Sequence, residues 1–182
     1  MPAFARFPYA MTHRSPMADS LAERHSCRMT NPKLLRGRTS DIGACYAITT
    51  VCRARQPVFA QAELANKVVA GIQECVRGGA VESIAWVVMP DHMHWLLQLR
   101  DPSLSRCLQA FKSRTAHAIN FARGCCGPVW QAGFYDHRLR CDEDLRAQAM
   151  YVIANPLRQG LVERIEDYPF WWCRWIKRHD DE

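Results

Sequence analysis

The sequence predicts an α+β fold whose elements follow the order β-α-β-β-α-β, with a further helix toward the carboxyl end. Two observations lead to this prediction. Short segments rich in β-branched and aromatic residues alternate with longer segments whose apolar residues recur at helical spacing. Two of the short segments are separated by only Pro90 and Asp91, which favours antiparallel neighbours. The chain has 182 residues, of which 48% are hydrophobic, so it can form one domain with a sizeable core.

The first half of the chain predicts three strands and one helix. Strand one is predicted at 45–51, which is rich in β-branched and aromatic residues. Helix one is predicted at 61–77, where apolar residues recur at helical spacing until a glycine pair ends the pattern. Strands two and three are predicted at 81–89 and 92–99, on either side of the tight connection.

The second half predicts two helices and one strand. Helix two is predicted at 104–121, with basic residues away from its apolar side. Residues 129–140 predict an irregular stretch followed by strand four, and Asp142 is expected to cap helix three. Up to strand four this order is the ferredoxin-like pattern, a four-stranded antiparallel sheet with two helices on one face.

The flanks of the domain differ from it in composition. Residues 1–40 lack a sustained period and hold scattered prolines and basic residues, so we expect a loosely ordered basic leader. This leader is either an inert tail or an arm that contacts a nucleic-acid backbone. The domain is predicted at 41–176, followed by a charged tail at 177–182. The aromatic segment 168–175 is expected to be buried over an exposed edge rather than to stack on bases.

Charge and cysteine content restrict the function classes. A net charge of +6 fits a partner rich in phosphate, although many proteins that bind no nucleic acid share such a charge. The nine cysteines are odd in number and contain no Cys-x-x-Cys pair, which predicts reduced thiols in a cytoplasmic protein. The sequence contains no apolar run of the length that crosses a membrane, so no membrane partner is expected.

The most informative residues are two histidines at the start of strand three. Residues two apart on a strand point to the same face, roughly 7 Å apart. His92 and His94 can therefore converge on one ligand while Met93 turns into the core. Spacing alone leaves two interpretations, ordinary polar residues at a strand end or half of a metal site. Their position after a tight turn between two strong strands favours the metal site.

Helix three separates its apolar residues from two polar ones. Its apolar stripe is Leu145, Ala149, Val152 and Ile153. Tyr151 and Asn155 fall on a different side of this helix. Tyr151 could be an ordinary surface residue, and Asn155 followed by Pro156 could begin a last helical turn.

Four segments form a recognisable series along the chain. They are Trp-Val-Val-Met-Pro-Asp-His-Met-His at 86–94, the block at 129–140, Met-Tyr-Val-Ile-Ala-Asn-Pro-Leu-Arg-Gln-Gly-Leu-Val at 150–162, and Tyr-Pro-Phe at 168–170. Taken in order, they resemble the single-tyrosine transposases of the HUH endonuclease superfamily, and in particular the REP-associated tyrosine transposases of bacteria. The resemblance covers residues 43–175.

The resemblance implies a divided active site. His92 and His94 correspond to the histidines that bind a divalent metal ion, Mg²⁺ or Mn²⁺, and Tyr151 corresponds to the nucleophile on the additional C-terminal helix. Asn155 falls where insertion-sequence relatives place a glutamine as third metal ligand. An amide oxygen one helical turn from the nucleophile suits that role. Asparagine is shorter than glutamine, which is a departure from the pattern.

The resemblance also implies the activity and its substrate. It implies a bacterial, cytoplasmic enzyme, associated with the nucleoid when bound, that nicks and rejoins single-stranded DNA carrying a palindromic hairpin through a 5′-phosphotyrosine. The alternative is a domesticated regulator that binds DNA with little or no cleavage. A monomer is favoured over a homodimer. The residues expected to contact DNA, each of which could instead be a solvated surface residue, are Lys112, Arg114, Arg138 and Arg140, with Trp130 for stacking.

Overall fold

The computed structural model describes residues 40–140 and 144–176. Its strands are β1 (Cys45–Val51), β2 (Val81–Val88), β3 (His92–Leu99), β4 (Tyr135–Arg138) and β5 (Trp171–Cys173). Its helices are α1 (Ala62–Arg77), α2 (Leu104–Arg123), α3 (Leu145–Ile153) and α4 (Asn155–Arg158), with short 3-10 turns at Arg53–Arg55, Val58–Ala60 and Ile165–Asp167. The predicted leader, apart from its last residue, and the predicted charged tail lie outside the described residues.

The five strands form one sheet in the order β4-β1-β3-β2-β5, and every neighbouring pair is antiparallel. The first four strands have the order expected of the predicted ferredoxin-like fold, which is therefore confirmed. The fifth strand was not predicted. It is formed by the aromatic segment, which pairs with β2 and buries Trp171 and Cys173. The expectation that this segment covers a sheet edge is confirmed.

Helices cover both faces of the sheet. α1 and α2 pack on the face that carries Met93 and Trp95 of β3. α3 packs over β2 and β3 on the opposite face, which carries Leu96. Because successive strand residues point to opposite faces, His92 and His94 share the α3 face with Leu96. The predicted inward turn of Met93 is confirmed, since this side chain is fully buried.

Capping residues explain where α3 begins. The side chain of Asp144 accepts hydrogen bonds from the backbone N–H groups of Arg146 (2.8 Å) and Ala147 (3.1 Å). Asp142 was expected to be this cap, but the helix begins at Leu145, and Asp142 itself lies outside the described residues. The predicted apolar stripe of α3 is confirmed, because its members pack into the part of the core that lies on the Leu96 face of the sheet.

In the part of the chain that the structure describes, no helix combines the length and apolar character needed to cross a membrane.

Candidate active site

The histidine pair stands where β2 turns into β3. The backbone N–H of Met89 donates to the carbonyl oxygen of His92 at 2.8 Å, which closes this turn. β1 lies beside the pair, with Thr49 opposite His94 and Val51 opposite His92. Both histidines are thus fixed by two neighbouring strands rather than carried on a loop.

The two imidazole rings are perpendicular to each other, and their Nε2 atoms lie 3.2 Å apart. The Nδ1 atom of His94 lies 2.8 Å from the hydroxyl of Thr49, and the Nδ1 atom of His92 lies 2.5 Å from a carboxylate oxygen of Asp91. A carboxylate only accepts hydrogen bonds, so His92 carries its proton on Nδ1 and its Nε2 is available as a ligand atom. Metal-binding histidines are oriented by outer partners in this way.

The separation of the Nε2 atoms can be compared with metal geometry. Adjacent ligands of octahedral Mg²⁺ are about 3.0 Å apart, and ligands of tetrahedral Zn²⁺ are about 3.4 Å apart. The observed 3.2 Å lies between these values, so the pair fits two positions around one divalent cation. Within residues 40–140 and 144–176, no group of three His, Cys, Asp or Glu residues could hold a metal ion. A cation at this site would need further ligands of another kind.

The protonation state of His94 suits metal binding. Burial, together with the positive charges of nearby groups that include Arg158, lowers the pKa of His94 to about 3. His94 is therefore neutral at physiological pH, which is the form that binds metal. The same electrostatic effect indicates that Arg158 lies close enough to the pair to act on it.

Asp91 connects the pair to a basic turn. Its second carboxylate oxygen accepts a hydrogen bond from Arg55 at 3.2 Å. Although burial alone would raise the pKa of Asp91, the hydrogen bonds and charges of His92 and Arg55 lower it. Asp91 is thus held as a carboxylate that orients His92.

The basic turn Arg53–Arg55 has an unusual backbone. Ala54 and Arg55 both have positive φ angles, 54° and 50°, which side-chain-bearing residues adopt at a cost. The turn is fixed by hydrogen bonds from the N–H of Cys52 to the carbonyl of Asp91 and from the N–H of Arg53 to the carbonyl of Val129, both 2.8 Å. Sequence reasoning missed these arginines. The Arg-x-Arg pattern between a strand and a helix was the available signal.

The helix of Tyr151 lies on the same face of the sheet as the histidine pair. α3 packs over β2 and β3 through Ala149, Val152 and Ile153. Tyr151 itself is 55% exposed, so the prediction that it lies off the apolar stripe is confirmed. The structure therefore brings the strand of the histidines and the helix of the tyrosine together, as the sequence required. The catalytic role of Tyr151 stays a prediction.

Arg158 folds back onto Tyr151. Its guanidinium carbon lies 3.8 Å from the centre of the Tyr151 ring, and its Nη2 donates to the Tyr151 carbonyl oxygen at 2.7 Å. Sequence reasoning missed this residue as well. Sequence spacing gave no signal for this contact, because Tyr151 is in α3 and Arg158 is in α4.

Asn155 is buried, whereas the helical pattern had placed it off the apolar stripe, on the side of Tyr151. The difference arises because α3 ends at Ile153 and α4 begins at Asn155, so the two residues are not on one continuous helix. The side-chain nitrogen of Asn155 donates to the carbonyl oxygens of Val152 at 2.8 Å and Tyr151 at 3.3 Å. The amide oxygen is then the atom left for a ligand. Its role as third metal ligand stays a prediction.

Trp130 was expected to stack on bases, but it lies in the core with only 6% of its surface exposed. Its indole N–H donates to the hydroxyl of Thr115 at 3.0 Å, and its ring packs against Phe59 and Phe111. A backbone bridge to Cys52 draws it inward. In this structure Trp130 is a core residue and does not offer a stacking surface.

Lys112 was expected to contact phosphate, but its ammonium group is already bonded within the domain. The Nζ atom donates to the carbonyl oxygens of Gln131 at 2.6 Å and Gly133 at 2.5 Å. Burial lowers the pKa of Lys112 to about 8. This side chain ties α2 to the segment before β4 instead of presenting a free charge.

The other three predicted contacts are arginines outside the immediate site. Arg114 lies 3.7 Å from Glu74 and 3.3 Å from the sulfur of Cys75. Arg138 pairs with Asp41 at 2.5 Å and stands opposite the core residue Tyr46, which places it on the sheet face away from the histidines. Arg140 is exposed. DNA contact by these three residues stays a prediction.

Comparison with known proteins gives a consistent result. A family model described as "Transposase IS200 like" matches residues 42–143. A REP-associated tyrosine transposase of Escherichia coli is 34% identical over 88 residues, covering 47% of this chain and 50% of that protein. A Haemophilus influenzae protein that carries the same name provisionally is 27% identical over 100 residues, covering 49% of this chain and 57% of that protein. The chain thus spans about half the length of the curated relatives it matches.

A solved structure of a REP-associated tyrosine transposase bound to a REP hairpin is similar to this fold. The TM-score is 0.64 at 27% identity, and the match covers 74% of this chain and 79% of the other. The resemblance seen in the four sequence segments is therefore confirmed at the level of both sequence and fold.

Proposed function

The chain belongs to the IS200-like transposase family, and from this premise we propose that it nicks and rejoins single-stranded DNA with Tyr151 as nucleophile. The observation that carries the proposal is the convergence of the His92 and His94 Nε2 atoms on the sheet face covered by the helix of Tyr151. A nucleophile and a phosphate-binding centre on two rigid elements are the parts that such a reaction needs.

The proposed reaction is a transesterification at one phosphodiester. The phenol oxygen of Tyr151 forms a bond to phosphorus as the bond from phosphorus to the 3′-oxygen breaks. The phenol proton leaves to a base or to solvent, and the departing 3′-oxygen takes up a proton. The products are a 5′-phosphotyrosine and a free 3′-OH. Because the phosphoester bond is conserved, the reverse attack by a 3′-OH rejoins strands without another energy source.

We propose that His92, His94 and the amide oxygen of Asn155 hold a divalent metal ion, Mg²⁺ or Mn²⁺. When bound, such an ion polarises a scissile phosphate and neutralises part of its charge. The protein's contribution is orientation, since Asp91 and Thr49 fix the two rings before any ligand arrives.

We propose that the substrate is single-stranded DNA with a palindromic hairpin. The net charge of +6 supports a polyanionic partner. The similar solved protein is bound to a REP hairpin, which supports the same class of ligand here. Arg55 is exposed and is joined to His92 through Asp91, so it is suited to contact the strand near the scissile phosphate.

The proposal is tested by trapping the covalent intermediate. The protein is incubated with Mn²⁺ and end-labelled single-stranded hairpin DNA and then resolved on a denaturing gel. We expect a labelled band near the mass of the protein that is absent in Tyr151→Phe. Tyr135→Phe is the matched control, because Tyr135 stands opposite Thr49 on the same sheet face and is the nearest rival by register. Adduct formation that survives Tyr151→Phe would refute the assignment. Binding without cleavage in any metal would favour the regulator instead.

A further inference from the structure

Tyr151 and Arg158 are joined by two contacts that use different parts of each residue. The guanidinium group lies over the tyrosine ring, 3.8 Å from its centre. The same group donates a hydrogen bond to the tyrosine carbonyl oxygen at 2.7 Å. One side chain thus holds both the ring and the backbone of the residue proposed as nucleophile.

The backbone contact fixes the end of α3. The carbonyl of Tyr151 belongs to the last turn of this helix, where carbonyl groups lack partners within the helix. It accepts hydrogen bonds from Arg158 and from the side-chain nitrogen of Asn155, at 2.7 and 3.3 Å. The position of the Tyr151 backbone is therefore set by two residues of α4.

The ring contact restricts a side chain that is otherwise open to solvent. Tyr151 is 55% exposed, and an exposed aromatic side chain can change rotamer readily. A guanidinium group over the ring favours one of these rotamers. It also adds a cation–π attraction between the guanidinium group and the face of the ring.

We propose that Arg158 is a positioning residue for the nucleophile, which holds the Tyr151 ring in the attacking orientation. This inference rests on the proposed function, in which Tyr151 is the nucleophile. In this proposal the role of α4 is to place the side chain of Arg158 over the ring of Tyr151, which is in the preceding helix α3.

The chemistry requires arginine rather than a positive charge alone. A planar guanidinium can stack on a ring with its face while donating hydrogen bonds from its edge. The ammonium of lysine is a single point and cannot make both contacts in the same geometry. Arg158→Lys keeps the positive charge and removes the planar guanidinium group, so it tests which of the two is needed.

The test measures chemistry and binding separately. Single-turnover cleavage of end-labelled hairpin DNA in Mn²⁺ is followed for the unmodified protein, Arg158→Ala and Arg158→Lys. We expect the cleavage rate to fall about 10-fold to 100-fold in Arg158→Ala, the range that misplacing a reacting group by about 1 Å produces. Arg158→Lys is expected to recover only part of this loss. Hairpin affinity is compared between Tyr151→Phe and Tyr151→Phe/Arg158→Ala, and we expect it to change by less than about threefold.

Chemical rescue distinguishes positioning from folding. Millimolar methylguanidinium is expected to restore part of the rate of Arg158→Ala and none of the rate of Tyr151→Phe. Arg164→Ala is the matched control, since Arg164 is an exposed arginine of the same segment that pairs with Glu166 at 3.6 Å.

The outcomes separate this inference from the proposed function. An Arg158→Ala protein that cleaves at the unmodified rate overturns the inference and leaves the proposed function intact. Equal loss of rate and affinity, without rescue by methylguanidinium, assigns Arg158 a structural role and also overturns it. Full activity in Arg158→Lys overturns the requirement for a guanidinium. Absence of any Tyr151-dependent adduct in the unmodified protein overturns both proposals.

Discussion

The Nε2 atoms of His92 and His94 lie 3.2 Å apart, and the opposite nitrogen of each ring is held by an oxygen of a different element. Asp91 belongs to the turn between β2 and β3, and Thr49 belongs to β1. This arrangement orients two ligand atoms before a cation binds, which lowers the entropy lost on binding. This geometry favours the proposal that the histidine pair is half of a metal site over the alternative of two polar residues at a strand end.

Replacing Asp91 tests that preorganisation. We expect Asp91→Asn to weaken Mn²⁺ binding by about 10-fold to 100-fold, because the amide removes the charge that orients His92 and increases its basicity. Isothermal titration calorimetry in the absence of DNA measures this directly. Glu166→Gln, which neutralises an exposed carboxylate that pairs with Arg164, is expected to leave the affinity unchanged. Equal affinities for Asp91→Asn and the unmodified protein would contradict the role of Asp91.

Replacing a histidine separates metal binding from DNA binding. We expect His92→Ala to lose cleavage while hairpin affinity stays within about threefold, because the imidazole acts on the scissile phosphate through the metal and contributes little to the rest of the interface. Gel-shift titration and the cleavage assay measure the two properties on the same preparation. Loss of both in parallel would indicate that His92 serves mainly to support the fold.

Lys112 gives a prediction about stability. Its ammonium group donates to two backbone carbonyl oxygens, so we expect Lys112→Met to lower the free energy of unfolding by about 1 to 2 kcal/mol. Urea denaturation measures this change. The slope of hairpin affinity against salt concentration is expected to stay the same, since this charge is used inside the domain. A slope reduced by about 0.7, the value for one lost phosphate contact on a single strand, would restore Lys112 as a DNA contact.

The lowered pKa of Lys112 should also make the free energy of unfolding depend on pH. The pKa of Lys112 is about 8 in the folded chain, and an ordinary lysine has a pKa of 10.5. Between these values the unfolded chain binds more protons than the folded chain, so the free energy of unfolding rises with pH. After allowance for partial exposure, we expect a rise on the order of 1 kcal/mol between pH 7.5 and 9.5 that Lys112→Met lacks. An identical pH response in both proteins would contradict this.

The fold could be predicted largely from local patterns. Segments whose composition is typical of strands and segments with apolar residues at helical spacing were separated by clear turn residues. These patterns were sufficient to predict the first four strands and the three longer helices. β5 could not be predicted, because Trp171–Cys173 is a three-residue strand whose formation depends on the free edge of β2. That edge exists only once the sheet has formed.

The site was predictable where its geometry is local. The common direction of His92 and His94 follows from strand period, and Asp91 is adjacent to His92 in sequence. Thr49 could not be found this way, because its contact with His94 depends on the register of β1 against β3. Exposure of Trp130 was predicted wrongly for a similar reason, since its burial depends on a bridge to Cys52 and on side chains of α2.

The most direct measurement is the mass-spectrometric identification of the residue that carries DNA after reaction. The protein is incubated with hairpin DNA and Mn²⁺, digested with nuclease and protease, and its peptides are sequenced. We predict a nucleotide adduct on the peptide that contains Tyr151, with its mass located on that tyrosine. An adduct on Tyr135 or any other residue, or cleaved DNA with no adduct, would contradict the assignment of Tyr151 as the nucleophile.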